Sequence, residues 1–97
     1  MYKVKFPGAS IEKKFYKELG RVQPKCLQDE IVGKALALAR DPRPKNEPKI
    51  KPPLEIYLYT AQYRASVENY RILYDVDDNI KTVWILALRK RNERTYR

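Results

Sequence analysis

The spacing of apolar residues changes from a period of two to a helical one and back along the chain, and these periods mark the predicted elements. Tyr2-Lys3-Val4-Lys5-Phe6 alternates apolar and polar positions, which predicts a first strand stopped by Pro7-Gly8. Ile11, Phe15 and Leu19 then recur at i, i+4 and i+8, the stripe of a short helix. Ser10 offers the N-cap hydroxyl and Gly20 the C-terminal stop. Pro24 suits the first turn of a second helix, where its missing N–H costs nothing. Leu27, Ile31, Ala35 and Leu38 carry that helix's stripe, widened by Val32, Leu36 and Ala39. Asp41-Pro42 ends it, because a proline disfavours helical backbone in the residue before it.

Asp41–Pro53 holds five of the seven prolines and reads as a stiff surface connector. Beyond it the period becomes two. Glu55–Ser66, rich in Tyr and Ile, has strand composition, and Tyr70–Val76 alternates cleanly. Asp77-Asp78-Asn79 supplies turn chemistry before a partner strand at Ile80–Leu88. Apolar residues on both faces of these last two strands make them central, with one face under the helices. The expected fold is α+β with the order β-α-α-β-β-β: a helical hairpin packed on one face of a small, mainly antiparallel sheet, in a single domain over residues 1–97.

Charge narrows the class of partner. Lys and Arg total 21 against 12 Asp and Glu, a net charge of +9 with a pI near 9.7 on 97 residues. Such an excess favours nucleic acid, an acidic protein or an anionic membrane surface over a neutral small molecule, although cations also serve merely as a solubilising surface. The longest apolar run, Thr82–Leu88, is too short to span a bilayer, and no signal peptide is apparent, so no membrane role is expected. One cysteine, Cys26, cannot form an internal disulfide and fits a reducing cytoplasm. With no histidine to activate it, Cys26 is a packing or surface residue, and no metal or cofactor is expected.

The most informative stretch is the last 35 residues. Two strands there project Arg and Tyr, through Tyr63-Arg64, Tyr70-Arg71 and the closing Arg89-Lys90-Arg91-Asn92-Glu93-Arg94-Thr95-Tyr96-Arg97. Arg offers planar, permanently charged donors matched to phosphate oxygens, and Tyr offers a stacking face and a phenolic proton. Paired Tyr-Arg dipeptides seven residues apart, Asp41-Pro42-Arg43-Pro44 after the second helix, the Arg71-Ile72-Leu73-Tyr74 strand and the basic ending resemble the RelE/ParE superfamily of toxin–antitoxin toxins. The resemblance covers nearly the whole chain.

What the resemblance implies is a RelE-like endoribonuclease, an mRNA interferase needing no metal, that cleaves mRNA at the 70S ribosome A site and arrests translation. It also implies a cognate antitoxin as partner, in a toxin–antitoxin hetero-oligomer, and a cytoplasmic location. Carried over position by position, Arg71 and Arg91, with Arg89 as the alternative, would hold the phosphate, and Tyr96 would be the terminal acid or base. Arg64, Lys90, Arg94 and Lys51 would bind RNA. Two departures stand out: no His precedes the closing Arg, and Glu68-Asn69 replaces the family's glycine before the Tyr-Arg strand. Competing readings are a ParE-like inhibitor of DNA gyrase that cuts nothing, and a catalytically silent RNA-binding relative. At the residue level, Arg71 could instead pair with Asp75 or Glu68 on the sheet.

Overall fold

The protein was analysed as a computed structural model that describes residues 1–43, 49–56 and 58–90. Its elements run β1 (Lys3–Lys5), α1 (Ala9–Leu19), α2 (Lys25–Ala37), β2 (Lys49–Ile56), β3 (Tyr59–Val67), β4 (Tyr70–Asp77) and β5 (Thr82–Lys90). The sheet order is β1-β5-β4-β3-β2, antiparallel except for β1, which lies parallel to β5. Two helices on a mostly antiparallel sheet are what the periodicity requires. One strand more than expected is present.

That extra strand corrects two readings. The segment 55–66 is not one strand: β2 ends at Ile56, β3 begins at Tyr59, and these two residues pair antiparallel. The proline-rich connector is also partly strand, because Lys49–Ile56 forms the sheet edge. Proline cannot donate to a ladder, so Pro52 and Pro53 fit only such an edge, and the register between Lys49 and Leu54 is indeed irregular. At the first helix, Gly8 rather than Ser10 occupies the N-cap, without a side-chain cap. Pro24 sits one position earlier than expected, at the N-cap of α2.

The main core lies between the helices and one sheet face. Phe15 and Leu19 of α1 and Leu27, Ile31 and Ala35 of α2 meet Ala65, Val67, Tyr70, Ile72, Tyr74, Val83, Ile85 and Leu88. A second cluster joins Ile11, Ile56, Ala61, Leu73 and Leu86. In a flat sheet β2 and β5 would stand three spacings, about 14 Å, apart. Ile56 and Leu86 share one cluster, so the sheet is curled, with the β2–β3 hairpin folded over its outer face.

Candidate nucleic-acid interface

Strand alternation decides which cations can meet. On β4, Tyr70, Ile72 and Tyr74 are buried beneath the helices, so Arg71, Leu73 and Asp75 project from the outer face. The two-residue turn Glu68-Asn69 fixes β3 against β4, pairing Val67 with Tyr70 and Ser66 with Arg71. Arg64, opposite Leu73, therefore shares the face of Arg71 as its diagonal neighbour, roughly 7–8 Å away between backbones.

The third arginine arrives through a bulge. Between Tyr74↔Ile85 and Leu73↔Ala87 the register slips by one residue, leaving Leu86 extra on β5. Had the first register continued, Leu88 would oppose Arg71, and Arg89 would point to the helix face. With the bulge, Arg71 and Arg89 stand directly opposite on the outer face. Three guanidinium-bearing residues, Arg64, Arg71 and Arg89, thus crowd one end of three central strands. Such a group suits an anion with several oxygens, since Arg donors match phosphate geometry.

Other candidates lie elsewhere. Lys90 pairs with Tyr70, so it leaves the sheet on the opposite face from Arg71 and is exposed. Lys51 is exposed on β2, at the far edge of the sheet from β5 in strand order. Arg91, Arg94 and Tyr96 lie outside the described residues. Asp75 receives the Gln62 side-chain amide at 3.3 Å and the Val76 N–H at 2.9 Å, which gives that carboxylate partners of its own. Ser66, exposed and opposite Arg71, is a hydroxyl at the arginine group that residue-type reasoning missed. The tight Glu68-Asn69 turn was the signal, because it alone sets which residue faces Arg71.

Arg43 is structural. Its guanidinium forms a two-toothed pair with Asp78 (Nη1 to Oδ1 3.1 Å, Nη2 to Oδ2 2.8 Å), donates from Nε to the Tyr63 hydroxyl at 3.1 Å and lies 5.3 Å from that ring's centroid. Tyr63 stacks on Tyr74 at 5.7 Å, and the Tyr74 hydroxyl donates to the Pro42 carbonyl at 2.8 Å. The Tyr2 hydroxyl also donates to Asp78. Hydrogen bonds from Arg43 and then Tyr2 hold the Asp78 carboxyl below the usual aspartate range, whereas the Asp78 contact raises the Tyr2 phenol. The Asp41-Pro42-Arg43 stretch is thereby pinned to the strands behind the arginine face.

Comparison with known proteins places this arrangement. The model of the ParE toxin of type II toxin–antitoxin systems matches residues 10–95. The toxin–antitoxin complex RelBE2 of Mycobacterium tuberculosis contains a chain 27% identical, with 93% of this chain and 98% of that one covered and a TM-score of 0.63. A chain of the archaeal RelE–RelB complex of Pyrococcus horikoshii is 25% identical, with 95% and 97% covered and a TM-score of 0.67. No curated protein matches by sequence. The two-helix α+β fold is thus shared with the chains of these toxin–antitoxin complexes. The chain belongs to the ParE toxin family, within the RelE/ParE superfamily of type II toxin–antitoxin toxins. Among the described residues, no helix is long and apolar enough to cross a membrane.

Proposed function

We propose that this toxin is a metal-independent endoribonuclease that cuts mRNA, at the ribosomal A site in the cytoplasm, and so arrests translation. The observation that carries this reading is the facing pair Arg71–Arg89 with Arg64 beside it. RNA holds its own nucleophile. When the 2′-oxygen bonds to the neighbouring phosphorus, the P–O5′ bond breaks and a 2′,3′-cyclic phosphate remains. The 2′ proton passes to solvent water, and the 5′ oxygen must gain one. Arg71 and Arg89 would clamp the phosphate and stabilise the charge that accumulates on its oxygens, with Arg64 holding the adjoining phosphate. Tyr96 is the proposed proton donor to the 5′ oxygen, Arg91 a further phosphate contact and Arg94 a contact to flanking RNA, whereas Lys90, on the opposite face, stands outside this site.

A cognate antitoxin belongs to the same reading, since the two solved structures compared above are toxin–antitoxin complexes. An acidic or amphipathic segment laid over the arginine face would block RNA and neutralise part of the +9 charge. Inducing the chain without its partner, then mapping cut sites in cellular RNA against ribosome positions, tests the proposal. Cuts in ribosome-bound messages, undiminished by chelator in the purified reaction, are expected. The match to the ParE model supports a second reading, gyrase inhibition by binding alone. It predicts blocked supercoiling with cellular RNA intact.

A further inference from the structure

A cleft of about 470 Å³ opens beside the arginine face, between α1 on one side and β5 with the end of β2 on the other. That size falls in the usual range of small-molecule sites. Its floor is apolar, made by Ile11, Phe15, Ile56 and Leu86. Its rim is charged: Lys17 in the last turn of α1 and Arg21 just past its Gly20 C-cap, the latter 3.7 Å from Glu18, line it together with Arg89 and Glu55. Arg89 belongs to both the cleft and the facing arginine pair, so one continuous surface joins them.

We propose that this cleft takes one nucleotide flanking the phosphate held by Arg71 and Arg89, and that Glu55 biases it toward guanine; the proposal rests on the nuclease reading above. The rim carries both signs of charge, and a nucleotide matches both. Its phosphate suits Lys17 and Arg21, while its base can lie on the apolar floor and turn N–H donors toward a carboxylate. Guanine presents two adjacent donors, N1–H and the 2-amino group, to both oxygens of one carboxylate. Uracil has a single N–H there. An acidic peptide would gain from the cations but would meet the Glu55 and Glu18 carboxylates on the same rim.

The test uses the full chain and 2′-O-methyl RNA nonamers, which lack the attacking hydroxyl and cannot be cut. One probe is all uridine, and the others carry a single central guanine, adenine or cytosine. Lys17, Arg21 and Glu55 are exposed, so their variants keep the fold. Wild type binds the guanine nonamer about fivefold more tightly than the uridine one, and Glu55→Gln brings the two close to parity. The double variant Lys17→Ala/Arg21→Ala weakens every nonamer alike and flattens the salt dependence by about 0.7 in log–log slope per lost phosphate contact. Guanine preference unchanged in Glu55→Gln, with unchanged affinity in the double variant, overturns the cleft assignment. So does a loss confined to antitoxin binding. In both cases RNA cleavage that still depends on Arg71 leaves the nuclease intact, whereas absence of any cleavage or Arg71-dependent binding removes that reading itself.

Discussion

At the residue scale the arginine face carries a local electrostatic cost. Like charges placed directly opposite on antiparallel strands destabilise by about 0.2–1 kcal/mol, and Arg71–Arg89 is such a pair. Replacing Arg89 with Gln should therefore raise the urea midpoint slightly while cutting RNA cleavage about a hundredfold, on the order of 3 kcal/mol of transition-state stabilisation. Unfolding and cleavage measured on one preparation separate these effects; a variant both less stable and fully active would contradict the assignment. Glu68 makes a similar point. Its φ of 53° lies in the left-handed region, which costs a side-chain-bearing residue roughly 1–2 kcal/mol. Glu68→Gly should stabilise the β3–β4 hairpin by about 0.5–1 kcal/mol in chemical denaturation, since glycine adopts that conformation freely. Arg71 was a candidate in the sequence because it follows Tyr70 on an apolar strand, and Arg89, the alternative to Arg91, because an apolar strand runs straight into the basic ending. Their meeting was not legible, since it depends on the extra residue Leu86, which looks like any other apolar strand position.

Elements were legible where a period ran long enough. Ile11, Phe15 and Leu19 announce α1, and Leu27, Ile31, Ala35 and Leu38 announce the buried stripe of α2. The β2–β3 hairpin escaped because the sequence between Ile56 and Tyr59 is Tyr-Leu, with no Gly, Asn or Asp to mark a reversal. Consecutive prolines disguised β2 for the same reason: they exclude a central strand but tolerate an edge. Arg43 falls in the proline-rich surface connector of the sequence, and only its pairing with Asp78 shows it to be a brace between the segment after α2 and the β4–β5 turn. Two predictions belong to this brace. Tyr74 is almost fully buried, so Tyr74→Phe should cost about 1–1.5 kcal/mol by stranding the Pro42 carbonyl, read as a lower denaturant midpoint. Asp78 has a depressed folded-state pKa, so its contribution is present above the ordinary aspartate value of about 3.9 and fades as pH falls through the lower folded value. Asp78→Asn should remove that acid-side loss, and parallel unfolding curves between pH 5 and the acid limit would reveal it.

For the molecule as a whole, the question is whether +9 acts as a diffuse cloud or through one face. Salt dependence distinguishes them, because each phosphate neutralised on single-stranded RNA contributes about −0.7 to the slope of log affinity against log salt. Arg64, Arg71 and Arg89 acting alone predict a slope of about −2. Adding Lys17 and Arg21 from the neighbouring cleft brings it to about −3.5, and engagement of a number of cations equal to the whole net charge would approach −6. Fluorescence anisotropy of an uncleavable nonamer over a range of potassium concentrations measures the slope directly. A slope that shrinks with Arg71→Ala, and stays unchanged when the exposed α1 residue Lys13 is neutralised, identifies a localised site. A slope near −6 that falls equally with either change would mean that RNA is held by overall charge, with the register-built arginine face contributing no more than any other patch.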